Sequence, residues 1–171
     1  MDEVQQNVRR QPNRRRKSLR KRLKNMNAGN VEKLTKNLPD FIGIFDPKSL
    51  TQIKLVSYPV ALIVLVEEHW ISLYVTEQSI EVMDSMGYFS KKELDCSIQR
   101  FISTHLLNKS LISTPQLQAD DSNLCALYAI CFLFYRVLKC GSLCDFCKIL
   151  TTDLHENCKI ITKMYQKIKK F

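Results

Sequence analysis

Glycine appears only four times in 171 residues, at positions 29, 43, 87 and 141, and never in a cluster. Loops that cradle phosphates need closely spaced glycines so that backbone N–H groups can approach a nucleotide. Walker-type and dinucleotide fingerprints are therefore excluded. Long apolar runs are missing as well. A membrane span needs about 18–20 consecutive apolar residues, and the nearest stretch, LCALYAICFLFYRVL, is broken near its end by Arg136 and Lys139. It reads as a buried helix, and no membrane partner is expected. The charged amino-terminal residues lead into no apolar core, so no secretory signal is expected there. Internal repeats are absent. The seven cysteines, at 96, 125, 131, 140, 144, 147 and 158, are odd in number. Without a signal peptide they point to reduced thiols inside a cell rather than to a disulfide framework.

Acidic residues are nearly lacking from residues 1–30, where only Asp2 and Glu3 stand against ten lysines and arginines, a net +8. The whole chain carries +9, so the remainder is almost neutral. A segment this basic and poor in large apolar residues repels itself and gains little from burial, which predicts a disordered tail over 1–30. Arg14, Arg15, Arg16, Lys17, Arg20, Lys21 and Arg22 are its densest part. Clustered cations displace counterions from phosphates, so the tail reads as a nucleic-acid arm, with DNA as its partner, or a nuclear-import signal. A solubilising tail is the plainer alternative.

The folded domain is expected over 31–171. VEKLTKNL spaces Val31, Leu34 and Leu38 on one helical face, with Pro39 behind them. FIGIFD is a short apolar run. VALIVLV (60–66) reads as a buried strand, with WISLYV (70–75) and SIEVMD (79–84) as its neighbours. KKELDCSIQRFISTHLL has helical periodicity, and Ser90 with Glu93 suggests a capping box. NKSLISTPQLQADDSN reads as an irregular polar link into a helix from Cys125 to about Leu138, stopped by Gly141. The remainder, SLCDFCKILTTDLHENCKIITKMYQKIKK, reads as a last helical region.

Four residues could carry chemistry. His69 lies where one strand gives way to the next, and Asp84 ends the following strand, so the two fall within reach across an antiparallel pair. A carboxylate there would fix the tautomer of the ring. Taken alone, a histidine beside a strand is more often a structural partner. Cys125 would open a helix, whose positive end favours an anion, and a nearby imidazole would favour thiolate further. Taken alone, a cysteine in an apolar run more often packs, as Cys131 is expected to do. Gln118, seven residues before Cys125, could donate its amide to a developing oxyanion beside the Cys125 N–H.

His-Trp at 69–70, an acidic residue at 84 and Q-x6-C at 118–125 resemble the adenovirus-type cysteine endopeptidases, the adenain family, which share a core with the ubiquitin-like-protein proteases. DFIGIFD (40–46) and EVMDSMGYF (81–89) extend the likeness over about 36–135. The resemblance implies an α+β papain-like or adenain-like cysteine protease core, with a central antiparallel-rich sheet packed against helices that include the nucleophile helix. It implies His69 as general base, Asp84 as its orienting partner, Gln118 as oxyanion donor and Cys125 as nucleophile, with Trp70 packing beside the site. It also implies precursor proteins with glycine-containing cleavage sites as substrates, no cofactor, and a viral or virus-like maturation role in host nucleus and virion. Ala126 stands where the family has glycine. HLLNKSLISTPQ holds no cysteine, so an activating peptide joined by disulfide is not expected. A SUMO- or ubiquitin-deconjugating protease is the alternative within enzymes, and a non-enzymatic nuclear DNA-binding or scaffold protein the alternative outside them.

Cys144-x2-Cys147 and His155-x2-Cys158 could form zinc half-sites. The connection between them is short and the pattern reads as continuous helix, where such pairs share a face. No metal is assigned.

Overall fold

A strand without polar residues must be covered on both faces, and VALIVLV meets that requirement at the centre of the molecule. The computed structural model describes residues 26–91 and 93–170, so the basic tail with Arg14 to Arg22 lies outside the described residues. In chain order the elements are α1 (Ala28–Thr35), β1 (Phe41–Phe45), α2 (Pro47–Leu50), β2 (Val60–Val66), β3 (His69–Val75), β4 (Ser79–Met83), α3 (Cys96–His105), β5 (Ser110–Ser113), α4 (Cys125–Lys139), α5 (Leu143–Lys148) and α6 (Leu154–Ile168). The five strands form one mixed sheet in the order β1-β2-β3-β4-β5. The β2–β3 and β3–β4 pairs are antiparallel, while β1–β2 and β4–β5 are parallel. This is an α+β fold with an antiparallel centre.

Parallel neighbours need a crossover, and here α2 and α3 supply the two. Both pack on one face: Leu50, Ile98, Phe101 and Ile102 join Leu62, Val64, Ile71, Leu73 and Val82 in one core. The opposite face receives α4, with Trp70, Tyr74 and Ala61 set against Leu127, Tyr128 and Phe132. Eight consecutive residues of α4, Ala126 to Leu133, are buried. Each large apolar side chain so buried contributes about 1.5–3 kcal/mol. Ser72 donates from β3 to the Ala129 carbonyl at 3.2 Å, a polar contact made inside this interface. No helix among the described residues is long and apolar enough to cross a membrane.

Several boundaries differ from expectation. Asn27 caps α1 by accepting from the Asn30 N–H, so three residues assigned to the tail belong to the first helix. Ser90 forms no capping box: its hydroxyl donates to the Gly87 carbonyl, and Asp95 caps α3 instead. The polar link contains β5, which adds to the edge of β4. The left-handed residue after α4 is Cys140 (φ 53°). Gly141 leaves room for the Tyr135 ring, since a Cβ there would lie 2.3 Å from Tyr135 Cε1 unless the ring moved. The last helical region is divided into α5 and α6, with Asp153 capping the second by accepting from the His155 and Glu156 N–H groups.

Candidate active site

His69 is the first residue of β3. Val66 pairs with His69 across the two-residue turn Glu67–Glu68, where Glu67 takes a left-handed conformation (φ 54°). Asp84 lies one residue beyond β4. Ser72 pairs with Met83, so a continued ladder would set Asp84 opposite Ile71 rather than opposite His69. Asp84 is therefore the diagonal neighbour of His69, on the same face of the sheet. Its Oδ1 accepts from His69 Nε2 at 2.8 Å.

The carboxylate is fully buried and held from several sides. Oδ1 also accepts the Met86 N–H at 3.1 Å, and Oδ2 accepts the Phe89 N–H at 2.8 Å. Thr114, just past β5, clamps the backbone: its Oγ1 accepts the Asp84 N–H at 3.0 Å and donates to the Asp84 carbonyl at 2.6 Å. The tight turn that follows depends on Gly87. Its φ is +70°, and a Cβ there would lie 2.7 Å from the Gln116 backbone nitrogen.

With Nε2 engaged by Asp84, Nδ1 is the ring nitrogen left for the Cys125 thiol. Burial pushes the imidazole pKa down. The hydrogen bond His69 donates to Asp84 and the one it shares with Cys125, with the charges behind them, outweigh burial and raise it to about 9. The ring is thus an imidazolium at neutral pH. Tyr88 meets it edge-on, with centroids 5.3 Å apart and planes at 73°.

Cys125 is the first residue of α4 and half-buried. Its Sγ lies 3.8 Å from the Glu68 carbonyl, so the thiol sits against the turn that delivers His69. The N-cap residue is Leu124, which offers no side-chain cap. Helical bonding begins with the Leu127 and Tyr128 N–H groups, both donating to the Leu124 carbonyl. The Cys125 N–H precedes that ladder, as the first N–H groups of any helix do. Ala126 lies within the helix and is buried, so glycine is not needed there.

Gln118 is buried, and its amide is oriented at both ends. Ser85 Oγ donates to Oε1 at 2.9 Å, and Nε2 donates to the Ser122 carbonyl at 2.7 Å. One N–H remains for another acceptor. The Ser85 carbonyl accepts from the backbone N–H groups of Leu117 and Gln118. The residue after Asp84 therefore registers the Gln118 loop against the His–Asp pair. Trp70 is buried in the core against α4.

Sequence reasoning missed Ser85, Tyr88, Thr114, Tyr128 and Asn157. Ser85 carried one signal, its place beside the acidic candidate. The others act on partners far away in the chain. The C-terminal cysteines do not converge: Cys144 and Cys147 lie on α5, while Cys158 Sγ meets Ser122 Oγ at 3.4 Å and His155 faces Asp121. Among the described residues, no three His, Cys, Asp or Glu side chains group as metal ligands.

No family model matches this chain, and no curated protein does. Among solved structures it is similar to the central domain of the uncharacterized Lpg1148 protein from Legionella pneumophila. The two are 9% identical with a TM-score of 0.50, over 76% of this chain and 87% of that one. At that identity the likeness is one of fold, an α+β arrangement of sheet and helices, and it extends to no side chain.

Proposed function

We propose that this chain is a cysteine peptidase that uses Cys125, His69 and Asp84, with Gln118 as an oxyanion donor, on an adenain-like variant of the α+β fold. One observation carries the reading. The His69 imidazole is held between a buried carboxylate and a thiol at the start of a buried helix. Helix packing alone does not call for that arrangement, whereas acyl transfer does.

In the reaction, the Cys125 thiolate attacks the scissile carbonyl and forms the S–C bond, while the carbonyl electrons move onto oxygen. The Cys125 N–H and the remaining Gln118 N–H stabilise that oxyanion. As the C–N bond breaks, His69 gives its proton to the leaving amine. The neutral ring then takes a proton from water, which attacks the thioester and returns the thiolate. Asp84 keeps Nδ1 aimed at the sulfur by holding Nε2. Side chains and water supply every step.

The substrates in this reading are precursor proteins of a virus or virus-like mobile element, cut at glycine-containing sites in the virion or host nucleus. The basic tail then holds the enzyme on nucleic acid. Deleting residues 1–25 is expected to abolish salt-dependent DNA binding; unchanged binding refutes that part. Labelling with a peptide-directed thiol electrophile tests the enzyme. Cys125 is expected to react ahead of the other six thiols, and His69→Ala to remove the advantage. Seven thiols of equal reactivity would return the chain to the class of non-enzymatic nuclear proteins. Cleavage of ubiquitin or SUMO conjugates, with none of precursor peptides, would make it a deconjugating protease.

A further inference from the structure

The loop from Leu117 to Ser122 carries Gln118 but contains no strand or helix. Both of its ends lean on the first turns of α6. Asn157 is fully buried, and its Nδ2 donates to the Leu117 carbonyl at 3.1 Å and to the Thr151 carbonyl at 2.9 Å. Its Oδ1 accepts from the Thr151 N–H at 2.7 Å and from the Thr151 hydroxyl at 3.2 Å. Both donors and both lone pairs of the amide are thereby used. Tyr128, on the nucleophile helix, donates its hydroxyl to the same Leu117 carbonyl at 3.0 Å. At the other end, Cys158 Sγ meets Ser122 Oγ, and the Ser122 carbonyl receives the Gln118 amide.

We infer that Asn157 is a positioning residue for the oxyanion hole, fixing the Gln118 loop through the Leu117 carbonyl together with Tyr128. This rests on the cysteine-peptidase reading. An oxyanion donor must be placed to within about 0.5 Å to act in the transition state. A loop that lacks its own secondary structure has few bonds of its own, here Gln118 Nε2 to the Ser122 carbonyl and the Ser122 N–H to the Ala119 carbonyl, and needs support from outside. Leu117 directly precedes the donor, and its carbonyl is gripped by the nucleophile helix and by α6 at once. Helix α6 lies beyond the 36–135 stretch over which the sequence resembles the adenain family. The C-terminal helix thus forms part of the catalytic support.

Two small reagents separate donor positioning from thiol reactivity. Acetyl transfer from p-nitrophenyl acetate forms an Sγ–C(O) bond and expels p-nitrophenolate through an oxyanion. Iodoacetamide forms an Sγ–CH2 bond and expels iodide with no oxyanion. The ratio of the two rates at Cys125, read by peptide mass spectrometry on the full chain, reports the oxyanion hole. Losing an oxyanion donor costs about 10²–10³-fold, so Gln118→Ala is expected to lower the ratio by that order. Asn157→Ala is expected to lower it about tenfold, with the iodoacetamide rate unchanged. Tyr128→Phe, which removes one oxygen and keeps the ring, is expected to lower it a few-fold even if Asn157→Ala does not fold. Ser142→Ala removes the side-chain cap of α5 and leaves the ratio alone. A ratio that falls in Gln118→Ala but in neither Asn157→Ala nor Tyr128→Phe overturns the support role and leaves the peptidase standing. An equal fall in Ser142→Ala also overturns it, since general loosening would then suffice. A ratio unmoved in Gln118→Ala overturns the oxyanion assignment and the support role with it.

Discussion

The contacts of His69 with Asp84 and Cys125 make stability depend on pH in a window that can be worked out in advance. His69 ordinarily titrates at 6.5 and is raised to about 9 in the fold. Between those values the native state binds one proton more than the unfolded chain, so stability falls as pH rises. The contribution is complete below about 6.5 and is lost through about 9, with a slope of about 1.4 kcal/mol per pH unit. Over the window this amounts to roughly 3 kcal/mol. Little discount for solvent is needed, because Asp84 is fully buried and the His69 side chain is 15% exposed. The perturbation is His69→Gln, which removes the titrating group and keeps a donor for Asp84. Urea unfolding of both proteins, from about pH 6 to about pH 10, gives the difference in unfolding free energy. Groups that titrate in both proteins alike cancel in that difference. The advantage of the wild type is expected to shrink by roughly 3 kcal/mol across the range, in the direction of lost stability at high pH. The His69 ring protons, followed by NMR, should titrate near 9 in the wild type. A flat difference, or a ring that titrates near its ordinary value, refutes the coupling and with it the charged resting state.

Cys131 is fully buried and its thiol pKa is pushed up by burial, so it should stay unmodified by iodoacetamide in the folded protein under conditions that label Cys125; comparable labelling contradicts the packing. Gly87→Ala forces a Cβ to 2.7 Å from the Gln116 nitrogen at a left-handed backbone angle. Together these should lower the unfolding free energy measured in urea by about 1–3 kcal/mol or more, and an unchanged value would show that the turn can relax. Arg136→Met leaves the buried Glu81 without the guanidinium 2.7 Å away. A loss of about 3–5 kcal/mol is expected in thermal or urea unfolding. Because Glu81 also accepts the Leu143 N–H, the loss should be smaller when Glu81→Gln is added.

Strand β2 is legible as seven consecutive apolar residues, and β3 and β4 as apolar stretches interrupted inside by Ser72 and Glu81. Strand β5 is not. SLIS has two exposed residues of four, and its identity comes from the β4 edge it joins. The start of α3 is missed for a similar reason. Ser90 and Glu93 have the right spacing for a capping box, but the Gly87 turn claims the Ser90 hydroxyl and Asp95 lies closer to the periodic run. The break between α5 and α6 rests on Asn157 bonding the Thr151 backbone, a contact that helical periodicity cannot announce. His69, Asp84 and Cys125 are legible because each stands at the end of an apolar element, where a polar side chain has a reason to be. Ser85, Thr114 and Asn157 bond partners across 30 to 40 residues, a distance over which a single sequence has no grammar.

The sheet limits which position on α4 can bring a thiol to His69. Alternation along β3 puts Ile71 and Leu73 on the α3 side and Trp70 and Tyr74 on the α4 side. His69 has the parity of Ile71, and Asp84 has the parity of Val82, so both belong to the face opposite α4. A cysteine on α4 is screened from them by the strands at every position except the rim, where β3 begins and β4 has just ended. Cys125 occupies that rim. Cys131 follows six residues later, at about 1.5 Å per residue, which carries it about 9 Å along the helix and behind the sheet. There its Sγ meets the Ile161 carbonyl of α6 at 3.8 Å instead of an imidazole. Moving the thiol one turn inward, as in Cys125→Ser combined with Ala129→Cys, should therefore give a buried, inert cysteine even though the helix, its dipole and His69 are all retained.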